Sequence, residues 1–416
     1  MRRPALAVTA LAALLALPGC GSGGSEDAAG GAAATRITVQ AAGGEGELAA
    51  LQEVVDAFEA TRPGTTVEFT GIPSQGDHVA RLATGFAGGA PPDVFLLNYR
   101  RIGQFAERDV LEPADLGPIP REGLYPGPVE AFTIDGTLAC LPQNASSSVI
   151  YVNPALFERA GVDLPAADWT WEALEQAAQA LDAEGVPAIG FDAEIRTVAP
   201  FVWTAGGEVV DDTAAPTRMV LDRPEGRAAL TFLERLQDYG VDATSRAAVE
   251  PADRFAQGDL AMYVDSRRAV PNFRGLDGLR FDVVPLPRSE AGTPSRSLLA
   301  SDAWCVSKGA PALATELAQY AVGEQGGAVL ARSGRTVPSL RSLAQSPDFL
   351  APDQDPRSSQ VFLDVLPDLR RLPHVRQEDE AEELANDLLA QYFAGQAGLD
   401  ETVAAVGERT AAAYGR

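Results

Sequence analysis

Between Ile37 and Leu97 the apolar residues switch repeatedly between strand-like runs and helical spacing. Ile37-Thr38-Val39 opens a strand; Leu48, Leu51, Val54, Val55 and Phe58 then recur at helical intervals until Arg62-Pro63-Gly64 stops them. Thr66 to Thr70 predicts a second strand. Val79, Leu82 and Phe86 predict a second helix, Gly88-Gly89-Ala90-Pro91-Pro92 breaks it, and Val94 to Leu97 is a continuous apolar run. This is a βαβαβ unit, which builds a mostly parallel sheet whose ligands bind beyond the carboxyl ends of the strands. The loops after the first and third strands, Gly43-Gly44-Glu45-Gly46 and Asn98-Tyr99-Arg100-Arg101, therefore become candidate binding loops.

Farther along, Leu138 to Leu141 and Val149 to Val152 read as short strands around the polar, hinge-like stretch Gln143 to Ser148. Trp171, Leu174, Ala178 and Leu181 define a helix with Thr170 as its N-cap. Asp282-Val283-Val284 and Trp304-Cys305-Val306 predict two more strands, and Leu313 to Leu330 a helical segment. The tail predicts two helices, one through Leu384, Leu388, Tyr392 and Phe393, the other through Leu399, Val403 and Val406. No internal repeat is found.

The amino terminus carries a different pattern. Arg2 and Arg3 precede a short apolar stretch from Ala5 to Leu17, and Leu17-Pro18-Gly19-Cys20 follows. The stretch is shorter than the roughly 20 apolar residues a membrane-spanning helix needs. It resembles the signal and lipobox of a bacterial lipoprotein, so residues 1–19 are expected to be removed and Cys20 to be lipidated. Residues 20–35, rich in Gly, Ala and Ser, read as a flexible tether. The folded body is then exported and works at the outer face of the cell membrane, held by its lipid anchor only.

Charge and composition narrow the chemistry. The 416 residues are 46% hydrophobic and 22% charged, values of a folded globular chain of two or three domains. Lys+Arg 33 against Asp+Glu 58 gives a formal charge of −25, which opposes nucleic-acid binding. The only lysine is Lys308, followed by Gly309, so no P-loop is encoded and any ATPase must be a separate protein. His78 and His374 stand far apart with no metal-ligand spacing, and no Gly-x-Ser-x-Gly elbow occurs. Neither a metal nor a cofactor is expected.

An ordered series of motifs carries a family resemblance. It runs from Phe58-Glu59-Ala60-Thr61-Arg62-Pro63-Gly64 through Gly88-Gly89-Ala90-Pro91-Pro92-Asp93-Val94 to Asp135-Gly136-Thr137-Leu138. Tyr151-Val152-Asn153-Pro154-Ala155-Leu156-Phe157, Thr170-Trp171-Glu172, Ala205-Gly206-Gly207-Glu208 and Phe255-Ala256-Gln257-Gly258-Asp259-Leu260-Ala261-Met262 follow, then Pro285-Leu286-Pro287 and Gly334-Arg335-Thr336-Val337-Pro338. The chain resembles the family 1 extracellular solute-binding proteins of ABC importers, which include maltose-type and other carbohydrate-binding proteins. The resemblance implies an α/β fold of the two-lobed periplasmic-binding-protein type (type II), each lobe a mostly parallel sheet flanked by helices, with a hinge between them. It implies an N-terminal lobe of 36–140 plus 303–335 and a C-terminal lobe of 141–302 plus 336–416. It also implies a monomeric binding protein with no enzymatic activity, which closes on a sugar and delivers it to the transmembrane subunits of an ABC permease. Cys140 and Cys305 would lie near one another at the hinge, where a disulfide could form.

For the ligand, the family positions point to Glu45, Asn98, Tyr99, Asn144, Asp265 and Asp302 as polar contacts, and to Trp203 and Trp304 as faces for sugar rings. Arg100, Arg196, Arg268 and Arg335 occupy cleft-proximal positions. Many sugar-binding relatives carry a tryptophan after the Ala-Met segment, where this chain has Ser266-Arg267-Arg268. The arginines could fork onto an anionic group, so a neutral mono- or oligosaccharide leads and an anionic saccharide or polyol phosphate is the alternative. A glycoside-active enzyme built on paired carboxylates, or a ligand module for a sensor kinase, are the rival classes.

Overall fold

In the computed structural model, which describes residues 35–241 and 249–416, β1 (Thr35–Ala42) lies between β2 (Thr65–Ile72) and β3 (Val94–Asn98) and runs parallel to both. The predicted signal segment, Cys20 and residues 21–34 of the tether lie outside the described residues. Between the strands run α1 (Glu45–Ala60) and α2 (Gln75–Ala87). Leu51, Val54, Val55 and Phe58, the residues at helical spacing, are the buried face of α1. Such burial stabilises by about 1.5–3 kcal/mol per large side chain and is the main reason the helix lies on the sheet.

The strand Asp302–Ser307 completes this first sheet antiparallel to β3, and Leu111–Glu112 and Leu141–Pro142 pair antiparallel with it in turn. A second sheet orders Ile189–Gly190, Met262–Ser266, Ser148–Val152 and Asp282–Val284. Only Ile189–Gly190 with Met262–Ser266 is parallel there; both ladders of Ser148–Val152 are antiparallel. The expectation of mostly parallel sheets is therefore corrected. It holds where helical crossovers join the strands and fails at Asp302–Ser307 and Ser148–Val152, which enter their sheets directly from the other half of the molecule.

Alternation along Ser148–Val152 divides the core. Val149 and Tyr151 join the hydrophobic cluster of the first sheet, whereas Ile150 and Val152 join a second cluster with Leu174, Phe201, Leu233 and Leu389. The chain passes between the sheets in segments that lie side by side. Asn144–Ala145 pairs antiparallel with Val337–Pro338, and Ser146 bridges to Ala300. Cys140 and Cys305 are disulfide-bonded, with a Cα–Cα distance of 4.5 Å.

Two predicted elements divide. Leu138 to Leu141 separates into Thr137–Leu138, hairpinned to Thr133–Ile134, and Leu141–Pro142, which joins the first sheet. The segment 313–330 separates into Ala312–Val322 and Glu324–Ser333, with Gly323 in extended conformation between them. The tail helices are Glu378–Phe393 and Leu399–Tyr414, and Thr170 caps Trp171–Ala183 by accepting from the Ala173 amide at 3.3 Å.

Candidate functional site: a ring of paired charges at the strand ends

Asp302, at the head of its strand, gathers both neighbouring amides. Asn98 Nδ2 donates to its Oδ1 at 3.0 Å and Asn144 Nδ2 to its Oδ2 at 3.3 Å, while the Asp302 amide donates to Asn144 Oδ1 at 3.0 Å. Beside them Arg335 Nε lies 3.1 Å from Glu47 Oε2. Burial raises the Glu47 pKa; Arg335 and Arg268 oppose that rise and Asp302 adds to it. Gly43 makes room for this carboxylate, because a Cβ there would stand 2.6 Å from Glu47 Oε2.

The opposite wall comes from the second sheet and the tail. Arg100, in the turn after β3, pairs with Glu382 Oε2. Arg196 Nε lies 3.0 Å from Glu382 Oε1, and Arg196 Nη2 lies 2.9 Å from Glu194. Arg101 lies 3.2 Å from Asp379. At the end of Met262–Ser266, Asp265 accepts from the Ser266 amide at 2.6 Å and from Tyr263 Oη at 3.3 Å, and burial raises its pKa. Burial, then the neighbouring charges of Asp265, Glu194 and Glu250, pushes Asp192 up to about 6. Arg268 is exposed, with its charge acting on both Asp265 and Glu47. The groups form a circuit: hydrogen bonds and ion pairs link Asp302, Asn98, Arg100, Glu382 and Arg196, and charge interactions close it through Asp192, Asp265, Arg268 and Glu47, those of Asp192 with Asp265 and of Glu47 with Asp302 being between like charges. Asp192 and Glu194 also border an 880 Å³ cavity with Glu250, Asn386 and Gln396, a size suited to a small ligand.

The circuit brings together Asn98, Arg100, Arg196, Asp265, Arg268 and Asp302, with Arg335 and Asn144 attached to it. It leaves out four other predicted contacts. Glu45 is exposed on the first turn of α1, and Glu47 takes the inward place. Tyr99 is 1% exposed and Trp304 1%, both in the first core cluster, and Trp203 is 4% exposed in the second. Each of these rings packs within a core cluster. Asn144 is likewise buried, with its amide turned onto Asp302.

Glu47, Asp192, Glu194 and Glu382 were not legible as site residues. For Glu47 a signal existed: it stands three residues after the N-cap Gly44, where a glutamate turns back toward the loop. Glu382 reaches the circuit from a helix distant in sequence, and no local pattern marks it. Among the described residues no group of three His, Cys, Asp or Glu could hold a metal ion, and no helix is long and apolar enough to cross a membrane. His78 is buried, its ring between Gln40 and the Leu96 carbonyl.

A family model described as bacterial extracellular solute-binding protein matches residues 41–328. A putative binding protein of Brucella abortus is 26% identical over 264 residues, 58% of this chain; the match spans 60% of the length of that relative. An ABC substrate-binding protein of Listeria monocytogenes, solved in complex with cycloalternan, superposes with a TM-score of 0.77 at 23% identity, over 90% of this chain and 98% of that one. The sugar-binding protein MalE of Xanthomonas citri gives a TM-score of 0.78 at 22% identity, over 92% of this chain and 98% of that one. These structures share the two-lobed fold.

Proposed function

The chain belongs to the bacterial extracellular solute-binding proteins, and from that premise we propose that it captures a small neutral saccharide between its lobes and delivers it to an ABC permease. The observation that carries this reading is the circuit of polar side chains, drawn from the strand ends of both sheets and from the tail helix. A solute lying within it gains hydrogen bonds from both walls only when the lobes are closed, so its binding shifts the population toward the closed form. The same-fold proteins of Listeria and Xanthomonas, one solved with cycloalternan and the other described as sugar-binding, support a saccharide.

Three of the four arginines at the circuit, all but the exposed Arg268, favour a neutral solute over an anionic one. Arg100 and Arg196 share Glu382, and Arg335 is held by Glu47. A guanidinium already committed to a carboxylate offers its remaining N–H groups to hydroxyls more readily than it takes on a second anion. The lobes of this reading are 36–140 plus 303–335 and 141–302 plus 336–416, the protein is a monomer anchored through lipidated Cys20, and the ATPase is a separate chain.

A thermal-shift screen of the mature protein against neutral sugars, sugar acids and sugar phosphates tests the proposal. A saturable rise in melting temperature is expected with a neutral saccharide. A rise confined to anionic ligands would overturn the neutral assignment, and no rise with any sugar would overturn the saccharide.

A further inference from the structure

Arg267 carries a charge into the core without a counter-ion among the described residues. It opens the turn that follows Met262–Ser266, between the cleft residues Asp265 and Arg268, yet it is 0% exposed. Its Nε donates to the Gly334 carbonyl at 3.0 Å and its Nη2 to the Phe349 carbonyl at 3.0 Å. The guanidinium also lies over the rings of Phe349 and Phe362, 4.0 and 4.7 Å from their centroids. Among the described residues Nη1 has no hydrogen-bond partner, and the like charge of Arg274 acts on the group. Burial accordingly pulls its pKa down to about 9. A buried cation without a carboxylate is costly, and an apolar side chain of similar volume would fill the space without that cost. The position therefore asks for something only the guanidinium supplies.

What it supplies is a hold on Gly334. This glycine ends the helix Glu324–Ser333 in the left-handed region, φ +68°. The next residue is Arg335, whose Nε faces Glu47 in the circuit. Arg274 closes the other side, since a Cβ on Gly334 would stand 2.8 Å from its Nη1. Arg274 is itself held by the Asp355 carbonyl through its Nε, at 2.6 Å.

We infer that Arg267 is a positioning residue for the cleft: by bonding the Gly334 and Phe349 carbonyls from the end of a second-sheet strand, it fixes the crossing that presents Arg335 to Glu47. Arg267 touches no solute itself. It ties the wall carrying Asp265 and Arg268 to the wall carrying Glu47, so that Arg335 keeps its register between them. The inference rests on the reading of the circuit as the solute cleft.

The test follows the exchange of arginine Nε–H protons by nitrogen-15 NMR in the mature protein without solute. The Arg335 signal is assigned by its loss in Arg335→Lys, and that of Arg100, half-buried at the circuit on the other side of Asp302, by its loss in Arg100→Lys. In Arg267→Met the Arg335 Nε–H, which is buried beside Glu47, is expected to exchange about tenfold faster or more, as local opening becomes easier, while Arg100 stays as in the wild type. Arg267→Lys keeps the charge over the two rings but cannot span both carbonyls; it is expected to show the same selective loss and serves if the methionine variant does not fold. Unchanged exchange at Arg335, or equal acceleration at Arg335 and Arg100, would mean that Arg267 only supports the fold and would overturn the inference. Because no solute enters the measurement, failure to find a bound saccharide is read separately from this result.

Discussion

Glu45 and Glu47 stand two residues apart on the first turn of α1, and their surroundings differ completely. Glu45 is exposed, whereas the side chain of Glu47 is 15% exposed and faces Arg335 at 23%. Glu47→Ala leaves Arg335 half-buried without its partner and is expected to cost about 1–3 kcal/mol. Glu45→Ala is expected to stay within about 0.5 kcal/mol of the wild type. Urea unfolding of the two variants compares them, and equal costs would show that the pair does not hold the loop. Glu378 makes a pH-dependent case. It is fully buried, accepts from Tyr414 Oη at 2.7 Å, and has no partner for its Oε1 among the described residues. Burial pushes its pKa to about 8, with Tyr414 and Arg100 opposing the rise and Glu382 and Asp379 adding to it. The folded state thus keeps a proton that the unfolded chain releases at the ordinary value of 4.5. Stability from this group is present below pH 4.5 and declines as pH rises toward about 8. Glu378→Gln keeps an acceptor for Tyr414 and removes that decline. Its melting temperature should exceed that of the wild type at pH 8 and match it near pH 4.5; a difference that does not vary with pH would refute the assignment.

At the scale of elements, the apolar pattern was enough to place α1, α2 and the three strands of the first βαβαβ unit, because each helix buries one face, and β3 a continuous run, on a single core. It was not enough for 313–330. Both Ala312–Val322 and Glu324–Ser333 bury apolar residues, so the period runs through the break at Gly323. The end of the second helix depends on Gly334, whose φ of +68° is a conformation that L side chains adopt at a cost of about 1–2 kcal/mol. Gly334→Ala adds to that strain the approach to Arg274 Nη1 at 2.8 Å. The variant is expected to unfold at lower urea concentration by at least that amount, and a loss under about 0.5 kcal/mol would mean that the crossing relaxes freely.

On the scale of the molecule, the disulfide ties the strand Asp302–Ser307 to the chain just before its first passage between the sheets, across 165 residues of sequence. A closure of that length stabilises typically by about 2–4 kcal/mol. The double variant Cys140→Ala/Cys305→Ala should melt lower than the wild type under non-reducing conditions, and an unchanged melting temperature would mean that sheet pairing alone holds the two segments. By itself the sequence determined the βαβαβ start, the tail helices, the absence of a P-loop and the family, since these rest on local periodicity and on short motifs in order. The family resemblance also brought Asn98, Asp302, Asp265 and Arg335 into consideration, because each occupies a position beside the cleft in that family. Only the tertiary structure decided that Tyr99, Trp203 and Trp304 are core, since an aromatic at a strand or helix end looks the same in sequence whether it faces solvent or packing. Only the tertiary structure brought Glu382 from the tail helix to Arg100 and Arg196, and set Arg267 beneath Gly334. Such contacts join residues whose separation along the chain carries no periodic signal, and the packing of one sheet's helices against the other's strand ends fixes them.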